Sequence, residues 1–269
     1  MDRRLFSRLI IYFLLFFPSM NVFSTEENFL LINGTTSKIV HELGPHIHER
    51  VTPCSTFKIV LSLMGYDAGI LKDEKTPIWF FQEGYDDFLT SWKEPQSPHS
   101  WMKSSCVWYS RVLATKLEIE NIHHYLAMLE YGNQDMSGGL TKAWISSSLK
   151  ISPKEQVDFI QKMVQEKLSI SNSAMQMTKV LLFVSELPEG WKLFGKTGWG
   201  SIIEQNQKIS EVGWFIGWAE KDQIFFPFAY SIRDEKINLA QRIPRVKQLL
   251  AESNAVYKSN KDTALHIMP

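Results

Sequence analysis

Ser55 and Lys58 are the residues of this 269-residue chain whose types and spacing most directly suggest chemistry. A separation of three residues puts both side chains on one face of a helix, and Pro53 with the apolar run at 57–64 predicts that helix. A serine hydroxyl is a weak nucleophile until a base removes its proton. Burial in an apolar helix lowers the pKa of a lysine amine, so that it can act as that base. Ordinary helices carry the same spacing, so the pair needs support from elsewhere in the chain.

Three later segments carry residues that can complete such a site. Residues 195–198 read Gly-Lys-Thr-Gly after a predicted strand, where glycines let the backbone approach a ligand and Lys196 can meet an anion. A backbone N–H just beyond this motif can serve an oxyanion. Ser105 offers a second hydroxyl that can pass a proton to a leaving group. Trp144, in a predicted loop, carries one indole donor that needs a partner when buried. Each residue alone is common as a cap or core residue, so only the combination is informative.

Predicted strands at both ends of the chain enclose a block of helices. The strands are predicted at 29–32, 38–41, 192–194, 213–219 and 224–232. The helices are predicted at 55–64, 101–130, 152–167, 173–184 and 238–253. This order predicts an α/β (α+β) fold, in which an antiparallel sheet built from both chain ends is flanked by helices and carries an inserted all-helical lobe. We expect one domain over 25–269, with a sheet lobe (25–54 and 185–269) and a helical lobe (55–184).

The N-terminus and the charge balance indicate where the protein acts. Arg3, Arg4 and Arg8 precede an apolar run at 9–17 that is short for a membrane span, and small residues follow up to Ser24. This pattern predicts a cleaved signal peptide over 1–24 and a periplasmic protein, with an uncleaved anchor as the alternative. The chain has 29 basic and 29 acidic residues, so no overall charge attracts nucleic acid or an anionic membrane. We therefore expect neither partner once the signal is removed.

The cysteines and histidines suggest no metal site. Cys54 and Cys106 either form one disulfide in an exported protein or are small buried apolar residues, and the sequence leaves both alternatives open. Two histidine pairs, at 46/48 and 123/124, lack cysteine or carboxylate partners at a matching spacing. No metal is expected.

Taken together, these motifs resemble those of the penicilloyl-serine transferase superfamily, which contains the β-lactamases and the penicillin-binding proteins. The shared pattern is Ser-x-x-Lys at 55–58, a second serine motif at 105–107 and Lys-Thr-Gly at 196–198. Here the second motif reads Ser-Cys-Val, and Tyr-Gly-Asn at 131–133 and Trp144 accompany it. This version resembles the class D (OXA-type) serine β-lactamases.

The resemblance implies hydrolysis of β-lactam antibiotics, and so resistance to them, through an acyl-enzyme on Ser55. It implies that Lys58 is N-carboxylated by carbon dioxide or bicarbonate and serves as base for acylation and deacylation, without another cofactor. Trp144 would hold the carbamate, Val107 would keep the site apolar, and Ser105 would relay a proton to the lactam nitrogen.

The same resemblance implies how the substrate is held. The backbone N–H groups of Ser55 and Trp199 would form the oxyanion hole, and the substrate carboxylate would meet the motif at 196–198, including Lys196, Thr197 and Gly198. An arginine from the last helix region would also bind that carboxylate. Arg242 is favoured, and the other arginines of this region are Arg233 and Arg245.

Two other functions are compatible with the motifs. One is a penicillin-binding DD-peptidase, and the other is a β-lactam sensor domain; both are acylated without fast turnover. The Ser105–Val107 motif with Trp144 favours an enzyme that deacylates, and a sensor would need membrane helices and a protease domain for which this chain has no room. The sequence does not distinguish a monomer from a homodimer.

Overall fold

Six strands and seven α-helices make up the part of the chain, residues 25–203 and 209–256, that the computed structural model describes. The strands are β1 (Glu26–Ile32), β2 (Ile39–Leu43), β3 (Phe183–Glu186), β4 (Lys192–Ile203), β5 (Ile209–Lys221) and β6 (Ile224–Asp234). The helices are α1 (Lys58–Asp67), α2 (Pro98–Ser104), α3 (Val107–Leu117), α4 (Ile119–Met128), α5 (Pro153–Val164), α6 (Asn172–Leu181) and α7 (Arg242–Glu252). None of these helices is both long and apolar enough to cross a membrane. The predicted signal peptide lies outside the described residues.

All six strands form one antiparallel sheet in the order β2-β1-β6-β5-β4-β3. β1 lies between β2 and β6, and Phe29 of β1 is opposite Tyr230 of β6. The side-chain oxygen of Asn33 accepts hydrogen bonds from the backbone N–H groups of Thr35 and Thr36 at 3.0 and 2.9 Å, which closes the turn between β1 and β2. The sheet is therefore built from both ends of the chain, and the predicted architecture is confirmed.

The two faces of the sheet carry separate apolar cores because successive strand residues point to opposite faces. Leu30 and Trp214 pack with Phe57 in the core shared with the helical block. Phe29 packs with Leu249 of α7 in the core on the other face. The helical block thus covers one face, α7 covers the other, and the turn before α1 lies directly against β4 and β5.

The helical segment predicted over 101–130 is broken into three helices. Ser105 separates α2 from α3 with a φ of 59°, and Glu118 separates α3 from α4 with a φ of 67°. A residue in this left-handed region cannot continue a right-handed helix. The break at Ser105 turns the chain sharply, so that the serine lies at the junction of two helices rather than within one.

The Gly-Lys-Thr-Gly motif lies inside β4, whereas the sequence predicted that it follows a strand ending at residue 194. Its first glycine, Gly195, is paired with Gly217 of β5. A Cβ on Gly217 would lie 1.9 Å from the carbonyl oxygen of Phe194, so glycine permits a close approach of the two backbones. Glycines weaken the sequence signal of a strand, and pairing with β5 overrides that weakness.

Candidate active site

Ser55 lies in a 3₁₀ turn, Cys54–Phe57, that leads directly into α1. Lys58 is the first residue of α1, and its Nζ donates a hydrogen bond to Oγ of Ser55 at 3.2 Å. Its side chain is buried, with 1% exposure. Burial lowers the pKa of Lys58 from 10.5 to about 8, because desolvation disfavours the charged amine. At pH 7, one pH unit below this pKa, about a tenth of Lys58 is therefore a free amine in contact with the nucleophile.

Ser105 meets Lys196 on the opposite side of the site. The Nζ atom of Lys196 donates hydrogen bonds to Oγ of Ser105 at 3.0 Å and to the carbonyl oxygen of Thr197 at 3.1 Å. Burial, and then the positive charges of Lys58 and Arg242, place the pKa of Lys196 well below its usual value. The lysine can thus supply a proton to Ser105 and recover it from solvent or substrate.

The open edge of β4 supplies backbone groups to the site. On this edge, the N–H of Gly195 donates to the carbonyl oxygen of Leu182 at 2.8 Å, and the N–H of Ser201 donates to Oγ of Ser146 at 3.0 Å. Alternate residues of a strand direct their N–H groups to the same side, so the N–H of Trp199 also points to this edge. A strand edge that directs a backbone N–H beside Ser55 is suited to hold a developing oxyanion.

Gly198 lets β4 pack directly against the turn that carries Ser55. A Cβ at this position would lie 3.0 Å from the carbonyl oxygen of Pro53 and 3.1 Å from Cγ2 of Thr56. A larger residue would require one of these neighbours to shift by a few tenths of an ångström, so glycine allows the closest approach. The glycine sets the distance between the two sides of the site.

A cavity of about 710 Å³ opens beside these groups. The predicted site residues that line it are Ser55, Ser105, Val107, Thr197, Gly198, Trp199 and Arg242. The other predicted residues, Lys58, Trp144 and Lys196, are buried behind this lining, with exposures of 1%, 1% and 5%. The structure thus brings all three motifs to one place, although they are far apart in sequence.

Ion pairs distinguish the three candidate arginines. Arg245 pairs with Glu27 at 3.0 Å, and Arg233 pairs with Glu49 at 2.9 Å. Arg242 instead lines the cavity, where its Nη1 donates to the carbonyl oxygen of Gly198 at 2.5 Å and its Nε donates to that of Leu239 at 2.9 Å. Burial lowers the pKa of Arg242 to about 10, so the side chain is charged at neutral pH. Of the three, Arg242 is the one whose charge faces the cavity.

Trp144 packs beside the helix start that carries Lys58. Its ring stacks on Phe57 with centroids 5.2 Å apart, and its carbonyl oxygen accepts a hydrogen bond from Oγ1 of Thr52 at 2.9 Å. Within the described residues, no hydrogen bond uses its indole N–H, whereas the buried Trp101 and Trp214 both donate theirs. A buried tryptophan usually finds a partner for this group, so the indole N–H of Trp144 is available to a further acceptor.

The Tyr-Gly-Asn segment at 131–133 has a structural role. Gly132 has a φ of 56°, and Asn133 exchanges hydrogen bonds with Lys150 and with the carbonyl oxygen of Ser148. These contacts fasten the end of the helical region to the loop that carries Trp144. The segment does not line the cavity.

Several residues of the cavity wall were missed by the sequence analysis. Asp86 and Arg111 form an ion pair at 3.1 Å in the wall, and Phe88 lies 6.2 Å from Trp199, measured between ring centroids. Asp86 and Phe88 come from the irregular segment at 66–100, which was predicted only as a covering loop. No sequence signal tells which cavity an exposed loop residue borders.

Cys54 and Cys106 are both free and buried. Of the two alternatives left open by the sequence, the structure therefore shows small buried side chains rather than a disulfide. Burial raises the pKa of Cys54 to about 12 and that of Cys106 to about 11, so both are neutral thiols. Neither cysteine lines the cavity.

Comparisons of the sequence and of the structure with known proteins agree on one family. Residues 32–251 match the family model of the penicillin binding protein transpeptidase domain. Beta-lactamase OXA-9 of Klebsiella pneumoniae is 38% identical over 203 residues, which cover 72% of this chain and 74% of that protein. Beta-lactamase OXA-1 of Escherichia coli is 38% identical over 200 residues, covering 72% and 70%. The crystal structure of the OXA-427 class D β-lactamase superposes with a TM-score of 0.79 at 35% identity, covering 85% of this chain and 98% of that one.

Proposed function

Because the chain belongs to the class D β-lactamases, we propose that it opens the β-lactam ring by acyl transfer to Ser55 and hydrolyses the acyl-enzyme with a base built on Lys58. The observation that carries this proposal is the 3.2 Å contact between the buried Lys58 amine and the Ser55 hydroxyl. It supports a nucleophile that loses its proton directly to an adjacent base.

In the proposed acylation, Oγ of Ser55 attacks the lactam carbonyl carbon and transfers its proton to the base built on Lys58. The negative charge on the carbonyl oxygen is stabilised by the backbone N–H groups of Ser55 and Trp199. The lactam C–N bond then breaks, and Ser105 gives its proton to the nitrogen. The 3.0 Å hydrogen bond from Lys196 supports replacement of that proton.

Substrate binding is proposed to rest on the carboxylate of the β-lactam. Arg242 supplies positive charge, Lys196 supplies a hydrogen-bond donor, Thr197 supplies a hydroxyl, and Gly198 keeps the strand close enough for contact. Charge-assisted hydrogen bonds to a carboxylate are roughly twice as strong as neutral ones. The geometry of Arg242 at the cavity, with Arg233 and Arg245 held in ion pairs, supports this assignment.

We also propose that Lys58 works as its carboxylated form. When present, the carbamate supplies an anionic oxygen base for both acylation and deacylation. The residues fit such a group: Lys58 has a pKa of about 8, which gives the free amine that carbon dioxide requires. Trp144 has an indole N–H without a protein acceptor in the described residues, and Val107 adds apolar surface to the cavity.

Steady-state hydrolysis of a penicillin tests the function. We expect many turnovers per enzyme molecule, with Ser55→Ala abolishing them and the exposed-serine control Ser173→Ala leaving them unchanged. Mass spectrometry should detect an acyl-enzyme that disappears as the substrate is consumed. One stoichiometric burst followed by no turnover would refute the proposal and favour the peptidase or sensor.

The dependence of activity on pH and carbon dioxide tests the carbamate. Carboxylation of a protonated lysine releases two protons for each carbon dioxide bound. Below the Lys58 pKa of about 8, the midpoint of activity loss should therefore move down by about half a pH unit for each tenfold rise in dissolved carbon dioxide. Isotope-labelled bicarbonate should give a carbamate NMR signal that Lys58→Met removes. A midpoint that ignores carbon dioxide, with no such signal, would refute the carbamate while leaving acyl transfer intact.

We further propose that the protein is exported to the periplasm and confers β-lactam resistance there. The support is the signal-like sequence of residues 1–24 together with the family membership. Cells that express the full sequence should survive higher penicillin concentrations than cells that express residues 25–269 alone. Equal survival, with both proteins expressed at equal levels, would contradict this proposal.

A further inference from the structure

A second cavity of about 390 Å³ borders the first at Thr197. It lies where β3 begins, at Phe183, and β4 continues beyond its pairing with β3, between α2 and the start of α7. Its lining is made of His99, Met102, Lys103, Leu181, Phe183, Val184, Gly195, Lys196, Thr197, Phe215 and Ile243. Thr197 lines both cavities, so a molecule held at this residue can extend into either one.

The second cavity combines an apolar wall with a basic rim. Leu181 and Val184 contribute apolar surface to the wall, and Phe183 is 51% exposed beside them. His99 and Lys103 stand one turn apart on α2, and both are exposed. None of the residues lining this cavity is acidic. The composition suits a short apolar group that ends in an anion.

The position of this cavity indicates which part of a substrate would enter it. The argument rests on the proposed function, in which the substrate carboxylate binds at Thr197 and Arg242. Thr197 lines both cavities, and Ile243, the neighbour of Arg242 in the chain, lines the second one, so the second cavity adjoins the proposed carboxylate site. In a β-lactam fused to a six-membered ring, one ring carbon bears the carboxylate. A substituent on the neighbouring ring carbon points away from the protein groups that bind this carboxylate.

We propose that the second cavity is a subsite for this ring substituent in 3-substituted cephalosporins. Its rim selects for acidic substituents, because Lys103 places a positive charge at the mouth. The effect of one exposed charge is modest and is screened by salt. Lys103 is a specificity-determining residue here, with no part in the chemical steps.

Charge reversal at Lys103 tests the proposal. Two cephalosporins are compared that differ only in whether the 3-substituent ends in a carboxylate or in a neutral group of similar size. In Lys103→Glu, kcat/KM for the acidic substrate should fall about fivefold relative to the neutral one, mainly through KM, and high salt should reduce the difference. Lys150→Glu changes the net charge equally at an exposed site away from both cavities and should not alter the ratio.

A filling variant provides the second measurement. Val184→Trp places a large ring in the cavity wall and should raise KM for both 3-substituted substrates, while kcat/KM for a penicillin stays within about twofold of wild type. An unchanged ratio in Lys103→Glu together with unchanged KM values in Val184→Trp would overturn the subsite. If wild type hydrolysed neither penicillin nor cephalosporin, the proposed function itself would fail instead.

Discussion

Replacing Lys58 by methionine should make the protein more stable while abolishing its activity. Methionine has a similar length but carries no charge, and Lys58 is buried with 1% exposure. Burial lowers the pKa of Lys58 from 10.5 to about 8, a difference of about 2.5 units. At about 1.36 kcal/mol per unit, the native state carries a penalty of about 3 kcal/mol for holding this amine. The 3.2 Å hydrogen bond to Ser55, worth about 1 kcal/mol, offsets part of it. We therefore expect a net gain of about 2 kcal/mol in the free energy of unfolding.

The pH dependence of this gain follows from the lowered pKa. Below about pH 8, Lys58 is protonated in both the native and the unfolded states, so the penalty is fully present. Between about 8 and 10.5, the unfolded chain binds the proton that the native chain has lost, and the penalty fades as the pH rises. Wild type should thus approach Lys58→Met in stability over this window.

Urea denaturation of both proteins at about pH 6 and about pH 10 measures these effects. Carbon dioxide must be removed, because carboxylation would relieve the penalty in wild type alone. The difference between the two proteins cancels the titration of groups that they share. If Lys58→Met were equally or less stable than wild type at the lower pH, burial would not be the cause of the lowered pKa, and the account of the base would be wrong.

Two further predictions concern residues around the site. Arg242→Ala should lower kcat/KM for β-lactams about 10- to 100-fold, mainly through KM, because a charge-assisted contact is lost. Arg245→Ala should leave kcat/KM within about twofold of wild type and lower the unfolding free energy by about 1 kcal/mol; equal kinetic losses in both variants would contradict the assignment of the carboxylate site. Gly132→Ala should destabilise the protein by more than about 2 kcal/mol, because the residue has a φ of 56° and its Cβ would lie 2.2 Å from the carbonyl oxygen of Lys150. Thermal unfolding would measure this loss, and a change in kcat of the folded Gly132→Ala protein would argue against a purely structural role.

The sequence predicted the chemistry of the site better than its walls. Ser55 and Lys58 are three residues apart, so local helix geometry alone places them together. Lys196 and Ser105 also meet as the motifs suggested, although their hydrogen bond spans 91 residues. Residue types with distinctive chemistry at characteristic spacings carry this information, and most of it came from the resemblance to a known family.

What the sequence could not provide depends on long-range contacts. The proposed choice among three nearby arginines rests on Glu27 and Glu49, which lie 218 and 184 residues away from their partners. The continuation of β4 through its glycines depends on the backbone of β5, and the turn at Ser105 depends on where α2 and α3 pack. Local sequence propensities carry no information about these long-range partners.

The pairing of β1 with β6 suggests that the active site of this enzyme forms late in folding. Tyr230 donates a hydrogen bond to Glu27, its partner across 203 residues of chain, and the sheet between the two chain ends also holds the strand that carries Lys196. Closing a loop of this length costs entropy that is recovered only when many contacts form together. Such non-local topology slows folding, and we expect the nucleophile and its opposing lysine to meet late, as the sheet is completed. Catalytic competence should therefore arise in the final cooperative step of folding, and an incompletely synthesised chain would have none of it.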